Sequence, residues 1–106
     1  MVIVNGKEYR LAYTIGVMSD YNNWMIAHPK AGYIDGVLQR FVLMVKAYNA
    51  IHNRKDDIPK REDMMSLPGY VFTEIEEEVN RVEEADSERQ VEAKPEKGKK
   101  GESTAK

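Results

Sequence analysis

The chain has 106 residues, 42% of them hydrophobic and 32% charged, a formal net charge of −2 and no cysteine. That length allows one domain, and the lack of cysteine excludes a disulfide framework and a Cys-ligated metal site. The longest apolar run, Phe41-Val42-Leu43-Met44-Val45, is far short of a membrane span.

The start of the chain, Met1-Val2-Ile3-Val4-Asn5-Gly6, has no basic residues before its apolar ones, so a signal peptide is not expected. The expectation is a small, soluble, intracellular protein. Its charge is segregated. Residues 1–73 carry nine Lys/Arg and seven Asp/Glu, residues 74–88 carry eight acids against Arg81 alone, and residues 89–106 carry six bases against three acids. After Val91 only Ala93 and Ala105 are apolar, in a run of Lys, Glu, Gly, Ser and Pro. Such a run buries too little surface to offset the entropy of ordering it. Residues 1–85 are therefore expected to form one small domain and residues 86–106 a disordered polar tail.

In chain order, the first signal is Asn5-Gly6 between Val2-Ile3-Val4 and Lys7-Glu8-Tyr9-Arg10-Leu11-Ala12-Tyr13. A type I′ turn needs positive φ at both central residues, and Asn and Gly tolerate it best. The turn pairs Val4 with Lys7 and Val2 with Tyr9 in a hairpin over 2–13. Val2, Val4, Tyr9, Leu11 and Tyr13 then share one face, with Glu8 and Arg10 on the other. A lone hairpin is marginal in water, so its apolar face must lie on helices.

Thr14 suits the N-cap of a helix over about 15–27, with Val17/Met18, Tyr21, Trp24/Met25 and His28 on one stripe. Pro29 ends it, and Lys30-Ala31-Gly32 is a turn. The spacing predicts a second helix over 34–53 with Ile34, Val37, Leu38, Phe41, Val45, Tyr48 and Ile51 as its core stripe. The opposite stripe reads Asp35, Gln39, Val42, Lys46, Asn49 and Asn53. Val42 is out of place there, with Leu43 beside it, so another element or a partner must cover that face. Pro59, Glu62 and Asp63 suit the first turn of a short helix over 59–66. Leu67-Pro68-Gly69 breaks the chain before a helix over 70–84, whose Phe72, Ile75, Val79 and Val82 are spaced 3, 4, 3. That seam fits an amphipathic helix docking on its own domain; two heptads are too few for a coiled coil. The fold class is α+β and mainly helical: an N-terminal β-hairpin packed on three to four helices, followed by the tail.

The chemistry-bearing residues do not make an enzyme. His28 and His52 both fall near helix C-termini, where a cationic imidazole is favourable. With Asp56 or Asp57 they lack the close-spaced pair of a metal site, so no catalytic residue, metal or cofactor is expected. Ser19, Ser66, Ser87 and Ser103 lie outside any G-x-S-x-G context, and no Gly-rich phosphate loop is present. The run Glu74, Glu76, Glu77, Glu78 reads as a solvated face. A −7 segment and a pI near 5.7 disfavour nucleic acid. Lys97-Gly98-Lys99-Lys100-Gly101 is basic but short and flanked by acids.

Protein–protein binding remains. Met18, Met25, Met44, Met64 and Met65 lie on or beside the predicted helices. Their thioethers suit either a groove that repacks around varied apolar helices or the irregular gaps of a small core. The apolar residues beyond one core stripe are Val42, Leu43, Phe72, Ile75, Val79 and Val82, and these six are the expected partner or self-association contacts.

The hairpin Ile3-Val4-Asn5-Gly6-Lys7-Glu8-Tyr9-Arg10-Leu11, a helix directly after it and a helical body resemble the tail assembly chaperones of long-tailed bacteriophages. The segment Leu67-Pro68-Gly69-Tyr70-Val71-Phe72-Thr73-Glu74-Ile75, with the acidic helix and polar tail after it, looks like the end of such proteins. The resemblance covers residues 2–84. It implies a non-enzymatic protein of the bacterial host's cytoplasm, absent from the mature virion, that coats the long helical tape measure protein and keeps it soluble. It also implies a minor, longer product of a ribosomal frameshift that recruits tail tube protein; Gly98-Lys99-Lys100 suits A-rich slippery codons. Two alternatives stand beside it: a structural phage component such as a head–tail connector subunit, and a small helical regulator.

Overall fold

The structure is a computed structural model that describes residues 1–93, with side-chain surroundings given through residue 88. Its elements are β1 (Val2–Val4), β2 (Lys7–Tyr9), α1 (Ile15–Ala27), α2 (Tyr33–Ile51), α3 (Arg61–Met64) and α4 (Gly69–Ala93).

The hairpin forms in the expected register, Val2 opposite Tyr9, Ile3 opposite Glu8 and Val4 opposite Lys7. Asn5 and Gly6 take φ of 53° and 81°, the positive values that a type I′ turn requires. Val2, Val4 and Tyr9 are buried, and the Tyr9 ring meets Phe41 of α2 edge-on at 5.8 Å. Pairing stops at Tyr9 because β1 is only three residues long. Beyond it the chain runs over α2, where the Ala12 amide donates to the Met44 carbonyl at 3.1 Å. Leu11 and Tyr13 are half-buried against the core edge.

Central to the packing is α2, which contacts α1, α3 and α4, while α4 also packs on β1. Val37, Leu38, Phe41, Met44 and Val45 form its sealed stripe. The expected stripe needs correction at its ends. Ile34 and Ile51 are exposed, because they sit at the helix termini beyond the reach of the neighbouring elements. Leu43, Met44 and Asn49 are buried instead, since α2 is covered from several directions. The Asn49 amide donates to the Asp56 carbonyl at 3.3 Å and ties down the loop after the helix.

Helix ends follow local chemistry. The Thr14 hydroxyl accepts from the Val17 amide at 3.2 Å, and His28 with Pro29 closes α1. Past the His52 cap of α2, Asn53 takes φ 53°. Its amide donates to the Ala50 carbonyl at 3.3 Å, and the Arg54 amide donates to the Asn49 carbonyl at 2.8 Å. These two bonds make a Schellman motif. The short helix expected over 59–66 is reduced to α3 and a turn.

The last helix runs past its expected end at residue 84 to Ala93. Residues 86–93 of the expected tail are therefore helical, and residues 94–106 lie outside the described residues. A short polar chain joins the three long helices. Arg40 of α2 donates to both Glu83 oxygens of α4 at 3.0 and 3.1 Å, and its guanidinium lies 5.6 Å from the Tyr21 ring of α1.

Candidate functional site

The six residues expected to meet a partner lie in or against the domain's own core. Ile75 and Val79 are 1% and 0% exposed, and Leu43 is buried. Val42, Phe72 and Val82 are half-buried and pack on the core edge. This corrects the expectation: the 3, 4, 3 seam of α4 is used up against α2 and β1, so the seam itself is not free. The extra apolar residues at Val42 and Leu43 are likewise covered by elements of the same chain.

A free apolar face exists elsewhere. Among the helices, α1 packs mainly on α2. Successive residues advance 100° around a helix, so Val17, Tyr21, Trp24 and His28 share the side turned to α2. Tyr21, Trp24 and His28 stack in sequence, with ring centroids 6.0 and 4.9 Å apart. On the opposite side lie Ile15 and Ile26, 84% and 71% exposed, with Ser19 and Asn22 between them, while Met18 and Met25, 48% and 47% exposed, lie on a flank about 80° from the inner stripe. The expectation that Met18 and Met25 belong to the core stripe is thereby corrected; they lie at its edge, about half exposed. The only charged residue of α1 is Asp20, on the flank opposite the methionines and one turn before Trp24. A solvent-facing helix side is ordinarily charged or polar, and large exposed apolar patches mark interaction sites.

Two methionines, Met44 and Met64, fill the core, while Met18, Met25 and Met65 face outward. Met44 and Met64 thus take the gap-filling role that an unbranched thioether suits. Beside the C-terminal end of α1 lies a surface cavity of about 530 Å³ lined by Trp24, His28, Pro29, Lys30, Ala31, Asp35 and Arg61. The Arg61 Nε donates to Asp35 at 2.9 Å on its rim. The indole, imidazole and proline walls suit a projecting apolar or aromatic side chain.

Charge on the other side of the molecule is organised around Glu78, 9% exposed on α4. It accepts from Arg81 Nε at 2.9 Å and from an Arg81 terminal nitrogen at 2.7 Å, and pairs with the α-amino group of Met1. The Arg81 hydrogen bonds hold the carboxyl down to about 2, against the opposing effect of burial and with help from the amino group. The pair is a clamp between β1 and α4. His28 and His52 cap the C-termini of α1 and α2. The His28 ring stands 2.9 Å from the Trp24 carbonyl, while the His52 ring is 4.1 Å from that of Tyr48. Among the described residues, no group of three or more His, Asp or Glu side chains is placed to hold a metal ion. No described helix is long and apolar enough to cross a membrane.

Compared with protein-family models, with curated proteins and with solved structures, the chain matches none. The signal for the α1 surface was present in the sequence as a thirteen-residue helix with one charge. Apolar residues on both sides of that helix hid which side would be covered.

Proposed function

We propose that this protein is a non-enzymatic phage tail assembly chaperone, which binds the tape measure protein and keeps it soluble while the tail is built. The observation that carries the reading is the set of exposed apolar residues of α1, Ile15, Met18, Met25 and Ile26, set beside the cavity at Trp24. Together with the resemblance of the hairpin and helical body to that family, it supports a helix-binding role. A long helix with an apolar stripe aggregates unless the stripe is covered, and a second apolar helix face is the simplest cover. Binding of this kind needs surface and adaptable side chains, which Met18 and Met25 provide. It needs no catalytic group, cofactor or metal. On this reading the protein acts in the cytoplasm of the bacterial host and is left out of the mature virion. A longer frameshifted form would bring tail tube protein to the coated complex.

The test is a pull-down from cells expressing the chain within its native gene neighbourhood, read by mass spectrometry. The expected result is a long helical partner, together with a minor longer form sharing these N-terminal residues. Recovery of the protein as a closed ring, or with head proteins, overturns the reading. A Met18→Glu, Met25→Glu double variant that stays folded is expected to lose the partner, whereas Ile51→Glu, at an exposed site on α2, is expected to retain it.

A further inference from the structure

The hairpin turn carries the asparagine–glycine pair of the chain, Asn5-Gly6. We propose that Asn5 is a modification site: in the opened turn its side chain closes on the Gly6 nitrogen, and the isoaspartate that results cannot restore the hairpin register. The Gly6 backbone nitrogen, having given up its proton to base, attacks Asn5 Cγ. The new N–Cγ bond forms as the Cγ–Nδ2 bond breaks, and the nitrogen of the carboxamide leaves as ammonia. Water then opens the cyclic imide. Hydrolysis at the Cγ carbonyl restores the ordinary peptide bond and leaves aspartate. Hydrolysis at the backbone carbonyl leaves the chain running through Cβ and Cγ, as isoaspartate. This chemistry is independent of what the protein binds.

The structure singles out Asn5 among the asparagines. Both turn residues are exposed, and a Cβ on Gly6 would meet nothing within 4 Å, so the nitrogen is open to attack. Among the described residues no hydrogen bond engages the Asn5 carboxamide or the Gly6 amide. Elsewhere the attacking nitrogen is occupied. Asn22, Asn23, Asn49 and Asn80 lie inside helices, where the next amide is bonded along the helix axis. The Arg54 amide after Asn53 donates to the Asn49 carbonyl at 2.8 Å. Asp35, whose carboxyl forms the same imide, is followed by a Gly36 amide that donates to the Gly32 carbonyl at 3.1 Å. In the closed turn, φ of 53° and 81° go with a ψ of about 30° at Asn5, which turns the Gly6 nitrogen away from the Asn5 side chain. Ring closure therefore waits on opening of the hairpin tip, a local event at an exposed end. The two products differ in consequence. Aspartate accepts the positive φ and keeps the turn. Isoaspartate adds a backbone carbon between Val4 and Lys7, whose pairing the turn sets, and so unseats Val2, Val4 and Tyr9 from α2 and α4.

The experiment keeps the full folded chain in warm, mildly alkaline buffer and follows each asparagine by peptide mapping, mass spectrometry and an isoaspartate assay. Asn5 is expected to lose its amide at least about tenfold faster than any other asparagine, with isoaspartate the larger product. Unfolding the chain in urea is expected to speed the loss at Asn5 at least about tenfold, because the turn no longer holds ψ. Asn5→Gly keeps the turn and is expected to abolish the change. The isoaspartyl chain, separated from the aspartyl one, is expected to unfold at lower urea than the parent, whereas Asn5→Asp unfolds near it. An Asn5 that keeps its amide as long as Asn53 does overturns the proposal. Equal rates in the folded and unfolded chain refute the role of the closed turn. An isoaspartyl chain as stable as Asn5→Asp refutes the loss of register.

Discussion

At Gly36 a side chain of α1 presses close on the backbone of α2, and the contact yields a prediction whose sign depends on one oxygen atom. A Cβ added at Gly36 would lie 2.7 Å from the Tyr21 hydroxyl oxygen, and the next nearest atom, Tyr21 Cζ, is 3.9 Å away. The overlap is roughly 0.8 Å inside the ~3.5 Å optimum for packed atoms. Tyr21 has little freedom to withdraw, since its ring stacks on Trp24 and lies beneath the Arg40 guanidinium. Overpacking of this kind costs about 1–3 kcal/mol, while replacing a mid-helix glycine by alanine stabilises by about 1 kcal/mol. Gly36→Ala is therefore expected to lose about 1 kcal/mol net, lowering Tm by about 5 °C. In a Tyr21→Phe background the hydroxyl is gone and the remaining contact is an ordinary one. There the same substitution is expected to gain up to about 1 kcal/mol. Urea and thermal unfolding of the four chains, followed by circular dichroism, give the coupling energy directly, and about 1–3 kcal/mol is expected. A coupling within about 0.5 kcal/mol of zero, or a Gly36→Ala chain more stable than the parent, would show that α1 does not sit on α2 as described.

Other substitutions test other joints of the structure. Thr14→Ala removes the side-chain cap of α1 and is expected to cost about 1 kcal/mol in urea unfolding, because the Val17 amide loses its acceptor. Asn53→Gly relieves a non-glycine residue at φ 53° in the Schellman turn and is expected to stabilise by about 0.5–1 kcal/mol. Glu78, whose carboxyl is held down from 4.5 to about 2 by Arg81 and then the Met1 amino group, makes stability depend on acid. Its folded value lies below its unfolded one, so its contribution is complete above about pH 4.5 and is lost as pH falls toward 2. Arg81 is largely exposed, so solvent screening reduces the expected loss to on the order of 1–2 kcal/mol, and Glu78→Gln should flatten that part of the pH–stability curve. Ile75→Ala is expected to cost about 2–4 kcal/mol in equilibrium unfolding, as a buried core position does; a cost under about 0.5 kcal/mol would restore it to the surface.

Elements set by neighbouring residues were legible without the fold. Asn5-Gly6 determined the hairpin register, because few other residues accept positive φ twice in succession. Thr14 and Pro29 bounded α1, since one satisfies a free amide and the other cannot continue a helix. The 3, 4, 3 spacing on α4 identified a docking stripe, and Ile75 and Val79 are indeed its sealed members. What that spacing left open was whether the stripe docks within the chain, and the tertiary structure places it on α2 and β1.

Periodicity states the angle of each side chain around its helix, but not which angles a neighbour will cover. On α1 apolar residues lie all round the helix, and only the position of α2 decided that Val17, Tyr21 and Trp24 turn inward while Ile15 and Ile26 turn out and Met18 and Met25 stay half exposed at the edge. On α2, which is covered from several directions, the reverse occurred: Leu43, Met44 and Asn49 were enclosed although a single stripe would omit them. The ends of that helix, Ile34 and Ile51, project past their neighbours and stay exposed. Local chemistry determined where the chain turns, starts and stops. The partner of each apolar face depended on contacts between residues distant in sequence, and α1 kept one face without a cover among the described residues.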